Sequence, residues 1–277
     1  MKKKRKIKWL NLLILTILLM CIISLTVSIV NIIKWNIDKG NTKEQVQEIE
    51  KIVEIEEMPD TESTEIISQP KEPPKANPYW DYIKMNMIHV DFSELKLINS
   101  DVKGWIQVNG TNINYPFVQT KDNKYYLTHS FDKSYNQAGW VFLDYRNNIQ
   151  SLNKNTIIYA HGRLDTTMFG SLKNIVKSNW HINSNNYVVK LSTEFENTLW
   201  QVFSVYHIET TSDYLQIDFN NENDYQEFLN KLINRSVFNF NTTVSSTDNI
   251  LTLSTCYNKT EKVVMHAKLI KRETSLN

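Results

Sequence analysis

Along the chain the spacing of apolar residues changes several times, and each change predicts a different kind of element. Trp9 to Ile33 is a run of 25 residues without a charge. At a rise of about 1.5 Å per residue a helix of that length reaches roughly 37 Å, enough to cross a hydrocarbon layer of about 30 Å. Next, Val46, Ile49, Val53 and Glu56 trace an imperfect helical spacing, read as a short solvated stalk helix rather than a coiled coil. Then Pro59, Pro70, Pro73, Pro74 and Pro78 crowd together among Glu, Ser and Thr, the composition of an extended spacer. The stretch 34–78 is therefore expected to be a tether that holds a domain off a membrane.

Residues 79–103 have helical spacing. YWDYIKMNMIHV leads into DFSELKLINSDV, where Asp91 followed three residues later by Glu94 matches an N-terminal capping arrangement. From Gly104 onward short strand-like runs take over: WIQVNG, NINYPFVQ, GWVFLDY, NTIIYAH, NNYVVKLS, TLWQVFSVYHIE, NILTLSTC and KVVMHAKLI. Asn, Asp and Gly punctuate them, and such even spacing predicts a barrel or sandwich. One segment interrupts the series. NENDYQEFLNKLINRSVF, residues 221–238, sets Tyr225, Phe228, Leu229, Leu232 and Ile233 on one helical face, an amphipathic helix lying on the strands.

The expected fold is thus mainly β, with N-terminal helices, one helix between late strands, and a transmembrane helix in front. Four segments follow: a basic stretch 1–8, a transmembrane signal anchor 9–33, an acidic, Pro-containing linker 34–78, and one domain over 79–277. About 200 residues suffice for a single real core.

Charge adds an orientation. The opening MKKKRKIK carries six positive charges, which should stay in the cytoplasm and put everything after Trp35 outside. A cleaved signal peptide is the rival, but it needs a shorter apolar region and an A-x-A-like site, and neither is visible. Residues 36–78 hold five Lys against eleven Asp and Glu, whereas 79–277 hold nineteen of each sign. Nothing there forms the basic stripe that nucleic acid requires, so no nucleic-acid partner is expected.

Only two cysteines occur, Cys21 in the apolar run and Cys256 at the end of a strand. The domain can form no internal disulfide, and a lone thiol outside the cell needs a reason. Suppose NILTLSTC and KVVMHAKLI pair as a hairpin across the polar turn Tyr257–Glu261. Cys256 then closes it opposite Lys262, Leu253 faces Met265, and Leu251 faces Ala267. Those apolar pairs suit the core. Cys256, Ser254 and Thr252 share the other, solvent-side face with Lys262, Val264 and His266. Directly opposed Cβ atoms lie about 4.5–5.5 Å apart, so an ammonium stands beside the thiol. Thiols are only slightly ionised at neutral pH, and a neighbouring cation favours the nucleophilic thiolate.

A histidine usually handles the protons in such chemistry. His266 lies four residues down the strand, roughly 13 Å from Cys256, and is too far. His161 ends NTIIYAH as Cys256 ends its own strand, and two strand ends at one barrel rim could bring the groups together. Taken singly, a buried free cysteine, a structural histidine and a solvated lysine are the plainer readings.

Taken together, these segments resemble the sortases, and among them the class B group. TLSTC (252–256) is similar to the family's signature strand ending in the nucleophile. NTIIYAHGRLDTTMFGSLKNI (155–175) resembles the class B segment around the catalytic histidine. DVKGWIQVNGTNINYPFVQTKDNKYYLTHSF (101–131) and AGWVFLDYRN (138–147) match the early barrel strands, and the helix at 221–238 falls where class B members carry an extra one. The likeness covers nearly all of 79–277.

The resemblance implies an eight-stranded β-barrel and a membrane-anchored cysteine transpeptidase of Gram-positive bacteria. Cys256 would attack the threonine carbonyl of a sorting motif, NPQTN-like for many class B members, in surface proteins. An amine of the peptidoglycan precursor or cross-bridge would resolve the thioacyl-enzyme. His161 would protonate the leaving amine and deprotonate the incoming one. No metal or organic cofactor is implied. Asn123 and Leu127, in DNKYYL, match positions that contact the sorting peptide, and Ser254 shares the thiol's face and would line the groove.

At one position the chain departs from the family. Where sortases carry an arginine before the last barrel strand, steadying the substrate carbonyl and oxyanion, this chain has Lys262. Lysine supplies charge but not a planar two-pronged donor. The arginines after residue 78 are Arg146, Arg163, Arg235 and Arg272, none in the matching place. Lys262 is expected to substitute, the alternative being recruitment of Arg235 or Arg163 from a loop. Two other functions compete. A cell-wall cysteine peptidase of the papain-like or NlpC/P60 type would place its cysteine at a helix N-terminus and before the histidine. A tethered binding domain with a weakened site is favoured only by the lysine-for-arginine exchange.

Overall fold

The structure, a computed structural model, describes residues 9–67, 69 and 79–274, which divide between Asn41 and Thr42 into two units. The first unit is helical, part of α1 (Trp9–Ile52). Its apolar side chains over Trp9–Ile33 are exposed, and its mean hydropathy of 2.8 makes it long and apolar enough to cross a membrane. The basic stretch 1–8 lies outside the described residues. The helix outlasts the apolar run because Lys, Glu and Gln, all good helix formers, dominate residues 43–51.

The second unit begins earlier than the sequence suggests. Thr42 and Ile49 are buried, with Val46 and Val53 packed beside the core. The stripe read as a solvated stalk therefore faces the domain. Strands β1 (Ile55–Met58) and β2 (Glu65–Ile66) follow, and β2 adds an edge to the main sheet. Lys190 donates to Glu57, Lys271 to Asp60, and Thr61 and Thr64 donate to Glu273. From Thr42 to Ile67 the expected tether is thus a strap on the barrel. Its acidic residues meet buried lysines, which would be costly without a partner. Pro70, Pro73, Pro74 and Pro78 lie outside the described residues.

The helix expected over 79–103 is broken into α2 (Tyr79–Tyr82), β3 (Met87–Val90) and α3 (Ser93–Ile98). β3 pairs antiparallel with β1, and Met87, Ile88 and Val90 are buried. Non-local pairing overrides their helical spacing. The Ser93 hydroxyl and amide both donate to Asp91, ahead of α3, and hold its carboxyl below the ordinary range.

The eight runs picked from the sequence are all strands: β4 (Val102–Val108), β5 (Asn114–Val118), β6 (Phe142–Leu143), β7 (Asn155–Tyr159), β8 (Val188–Ser192), β9 (Glu196–Glu209), β10 (Ile250–Cys256) and β11 (Glu261–Thr274). They pair in the order β10-β7-β6-β5-β4-β8-β9-β11, and β11 returns to β10 to close the barrel. β10 with β7 and β5 with β6 run parallel. Trp105, Phe117, Trp140 and Trp200 fill the core.

Between β7 and β8 sits the single turn α4 (Ser178–His181). The late helix is α5 (Glu222–Asn234), capped by Asn221, whose side chain accepts from the Asp224 amide at 2.9 Å. It buries Tyr225, Phe228, Leu229 and Leu232 against Phe203, Tyr206, Tyr214 and Val264 in a second core. This cluster covers most of the hairpin face expected to meet solvent.

Candidate active site

β10 and β11 pair in the register expected from the sequence, with Cys256 opposite Lys262, Leu253 opposite Met265 and Leu251 opposite Ala267. Lys262 Nζ donates to Cys256 Sγ at 3.0 Å, and the thiol is exposed. Further down the same face the surroundings reverse. Thr252 and His266 are completely buried and Ser254 nearly so, so this is not a solvent-side face. The reason is α5 and the segment before it, which the hairpin's own alternation cannot reveal.

His266 belongs to that sealed region. Thr252 donates its hydroxyl proton to Asn155 Oδ1 at 2.7 Å. His266 Nδ1, 2.9 Å from the same hydroxyl, must therefore donate, leaving Nε2 to accept from the Tyr206 hydroxyl at 2.8 Å. Burial, with Arg235 adding to it, pushes the imidazole down to about 3. It is a neutral packing group, and its distance from the thiol agrees with the sequence reading.

His161 arrives by the parallel pairing of β7 with β10. Ser254 stands opposite Tyr159, and the same register carried two residues further sets His161 beside Cys256, on backbones about 4.8 Å apart. Two contacts show that the strands stay together past their formal ends. Thr255 Oγ1 donates to the Ala160 carbonyl at 2.8 Å, and a Cβ at Gly162 would collide with the Cys256 carbonyl oxygen. His161 Nε2 lies 2.8 Å from the Leu127 carbonyl. Because a carbonyl only accepts, Nε2 carries the proton and Nδ1 is left as the ring's second site for a proton. Gly139, at φ +61°, passes so close to the Tyr126 carbonyl and the His161 ring that no side chain fits there.

These groups open into one cleft of about 800 Å³. Leu127, Phe142, Tyr159 and Ala160 line it beside His161, and Thr210–Ser212, Tyr214 and Leu215 line it beside Ser254, Cys256 and Lys262. Each residue expected at the site is thus in or beside the cleft, though not each is free to act. Ser254 Oγ is 2.9 Å from the Tyr214 hydroxyl. Asn123 donates to Asp144 at 3.0 Å and accepts from the Tyr145 amide at 3.0 Å, so both ends of its amide are occupied. Asp144 is a buried hub that also accepts from Arg146 and from the Tyr159 hydroxyl. Burial alone would raise its carboxyl, but the bonds from Arg146, Tyr159 and Asn123 together outweigh that and hold it below the ordinary range.

The arginines considered for recruitment are engaged elsewhere. Arg235 grips both oxygens of Asp213, at 2.9 and 2.6 Å, and Arg163 binds Asp165 and Thr167. The cation seated on the sulfur is Lys262. Sequence reasoning missed the 210–215 wall, and Tyr214 within it. The wall's only trace is an irregular stretch between a long strand and an amphipathic helix.

A family model for the sortase domain matches residues 106–270. Sortase B of Staphylococcus aureus (strain NCTC 8325 / PS 47) is 38% identical over 188 residues, covering 66% of this chain and 76% of that protein. Among solved structures, a Bacillus anthracis protein described as similar to sortase B aligns with a TM-score of 0.60 at 42% identity, over 66% of this chain and 83% of its own. A Staphylococcus aureus sortase B–substrate complex aligns with a TM-score of 0.61 at 38% identity, over 65% and 84%. The match takes in β7 with its following histidine and the thiol-ended β10, within a barrel of the same architecture, and the chain belongs to the sortase family, in its class B group.

Proposed function

We propose that this sortase cleaves an NPQTN-like sorting motif of surface proteins through a thioacyl intermediate on Cys256. It then joins the acyl group to an amine of the peptidoglycan precursor or cross-bridge. The observation that carries this reading is the 3.0 Å contact of Lys262 Nζ with Cys256 Sγ at a strand end adjoining that of His161. In the first step the sulfur attacks the threonine carbonyl and the developing oxyanion draws on Lys262, a pre-placed charge in a partly apolar cleft. The imidazolium of His161 gives a proton to the leaving amine as the C–N bond breaks. The incoming amine attacks the thioester and returns a proton to His161 as the C–S bond breaks. With Nε2 tied to the Leu127 carbonyl, Nδ1 is the nitrogen that moves these protons.

The cleft suits an extended peptide, with Leu127 and Ser254 on its walls and Asn123 acting through the Asp144 hub. A relative, Staphylococcus aureus sortase B, has been solved as a substrate complex. The six positive charges ahead of the apolar helix support a cytoplasmic N-terminus, a single span and a catalytic unit outside. The exchange of arginine for Lys262 supports one other reading, a tethered domain that binds sorting peptides with weakened catalysis.

The test uses the full chain in detergent, since a fragment starting at residue 79 would lack β1 and β2. The protein and its Lys262→Arg variant are incubated with an NPQTN-type peptide and weighed intact. An acyl adduct mapped to Cys256 in the native chain is the expected result. An adduct in the arginine variant alone would favour the weakened-site reading. Silence in both, across a library of sorting motifs, would overturn the transpeptidase reading.

A further inference from the structure

The geometry that gives the sulfur a cation also gives it an amine. Lys262 Nζ lies 3.0 Å from Cys256 Sγ. In the thioacyl-enzyme, on whose existence this inference rests, the acyl carbon is one covalent bond from that sulfur and forms within reach of Nζ. Groups held about 3–3.5 Å apart react far faster than free partners. The second half of the reaction consumes a primary amine, and Lys262 carries one. An arginine in its place would stay protonated and inert.

In the resting site Lys262 is restrained by the sulfur, to which its Nζ donates. Acylation leaves the sulfur a poor acceptor and weakens its attraction for Nζ, which stays beside the new acyl carbon. Little nearby replaces that attraction. Opposite Lys262 on β9 stands Ile208. The adjacent Glu261 is bonded to Asn258 and His207, and Asp213, between the lining residues Ser212 and Tyr214, is gripped by Arg235.

We propose that Lys262 is an internal acceptor. When no outside amine competes, the acyl group migrates from Cys256 Sγ to Lys262 Nζ, and the protein becomes acylated on its own lysine. Nζ first loses one proton to water and attacks the thioester carbon. The C–S bond breaks with its electron pair going to sulfur, and the proton shed by the new amide nitrogen restores the thiol. Nothing is oxidised or reduced. The product amide neutralises the cation at the sulfur, so each capture retires one active site, and the supply of acceptor sets how many turnovers a molecule completes.

A small acyl donor separates this step from motif recognition. The benzyl thioester of acetylglycine loads exposed thiols by exchange, releasing benzyl mercaptan. The full chain in detergent is treated with it, without added amine, then split and exposed or not to neutral hydroxylamine, which cleaves thioesters and spares amides. The expected result is a hydroxylamine-resistant acyl mass that grows with time and maps to Lys262. It should vanish in Cys256→Ala, and Lys262→Arg should carry only the labile thioester. Complete removal by hydroxylamine from the native chain overturns the proposal. So does equal labelling of Lys262 in Cys256→Ala, or failure of the thiol to load at all. In a parallel arm with the NPQTN-type peptide, no adduct beside a Lys262 amide from the thioester would count against the sorting-motif reading and leave acyl capture standing.

Discussion

One face of the β10–β11 hairpin contains two opposite environments within a few residues. At its deep end Thr252 and His266 are fully buried, and burial raises the neighbouring Tyr206 and Tyr214 hydroxyls above their ordinary value. At its mouth Cys256 is exposed and in contact with Lys262. Strand alternation decides which face a residue shares, and the covering layer decides what that face can do. The two histidines show the difference. His266 has every polar partner supplied by protein and stays neutral, whereas His161, on a neighbouring strand end, keeps Nδ1 available at the cleft.

The largest effects should fall at the mouth. Cys256→Ala should abolish acyl-adduct formation with a sorting peptide, read by intact mass. His161→Ala should lower turnover by about 10²–10⁴-fold, the usual worth of a positioned acid–base group. A retained adduct in the first, or retained turnover in the second, would remove the contrast between rim and interior. Lys262→Ala should cost about 10²–10³-fold in kcat, the scale of losing one oxyanion donor. Unchanged turnover in that variant would mean that the lysine is only a bystander to the thiol.

At the deep end the expected effect is on stability. His266 is held down to about 3 by burial, against an ordinary value of about 6.5. Between those values the unfolded chain binds more protons than the folded one, so stability falls as the pH drops through that window. At about 1.4 kcal/mol per unit, lowering the pH from 7 to 5 should remove about 2 kcal/mol through this group alone. Chemical denaturation of the native chain and His266→Gln at both pH values measures it. If the two lose stability in parallel, His266 is not the buried neutral group described.

How legible all this was in the sequence depended on how local each feature is. The eight strands and α5 carry their own periods, and each was found. The Cys256–Lys262 contact follows from a hairpin with a short polar turn, where Leu253 against Met265 admits one register. β3 was hidden because its partner, β1, lies in a stretch whose acidic composition reads as a tether. The packing of Thr42 and Ile49 was hidden for the same reason, since the groups that cover them are far away in the chain. His161 could be placed at a strand end, but its adjacency to Cys256 needs the parallel β7–β10 pairing, which no short-range pattern announces. The segment 210–215, which supplies one wall of the cleft through Thr210–Ser212, Tyr214 and Leu215, has no period at all.

That wall supplies the smallest effect, and it tests whether the mouth is a surface or a built site. Asp213 is held by both nitrogens of the Arg235 fork, and Lys231 donates to its backbone carbonyl at 2.9 Å, so α5 grips the segment from beneath. Arg235 holds the Asp213 carboxyl below its ordinary range. This contribution is present at neutral pH and lost as the pH falls through the lowered value, because the folded state then takes up its proton last. The pair is partly exposed, so its worth is on the order of 1 kcal/mol or less. Asp213→Asn keeps the shape and drops the charge. It should raise KM for the sorting peptide by a few-fold and leave kcat near the native value, because the wall meets the substrate while the transferred protons stay with His161. A matching fall in kcat would instead tie the clamp to the Cys256–Lys262 geometry, and the mouth would then depend on α5 as much as the buried end does.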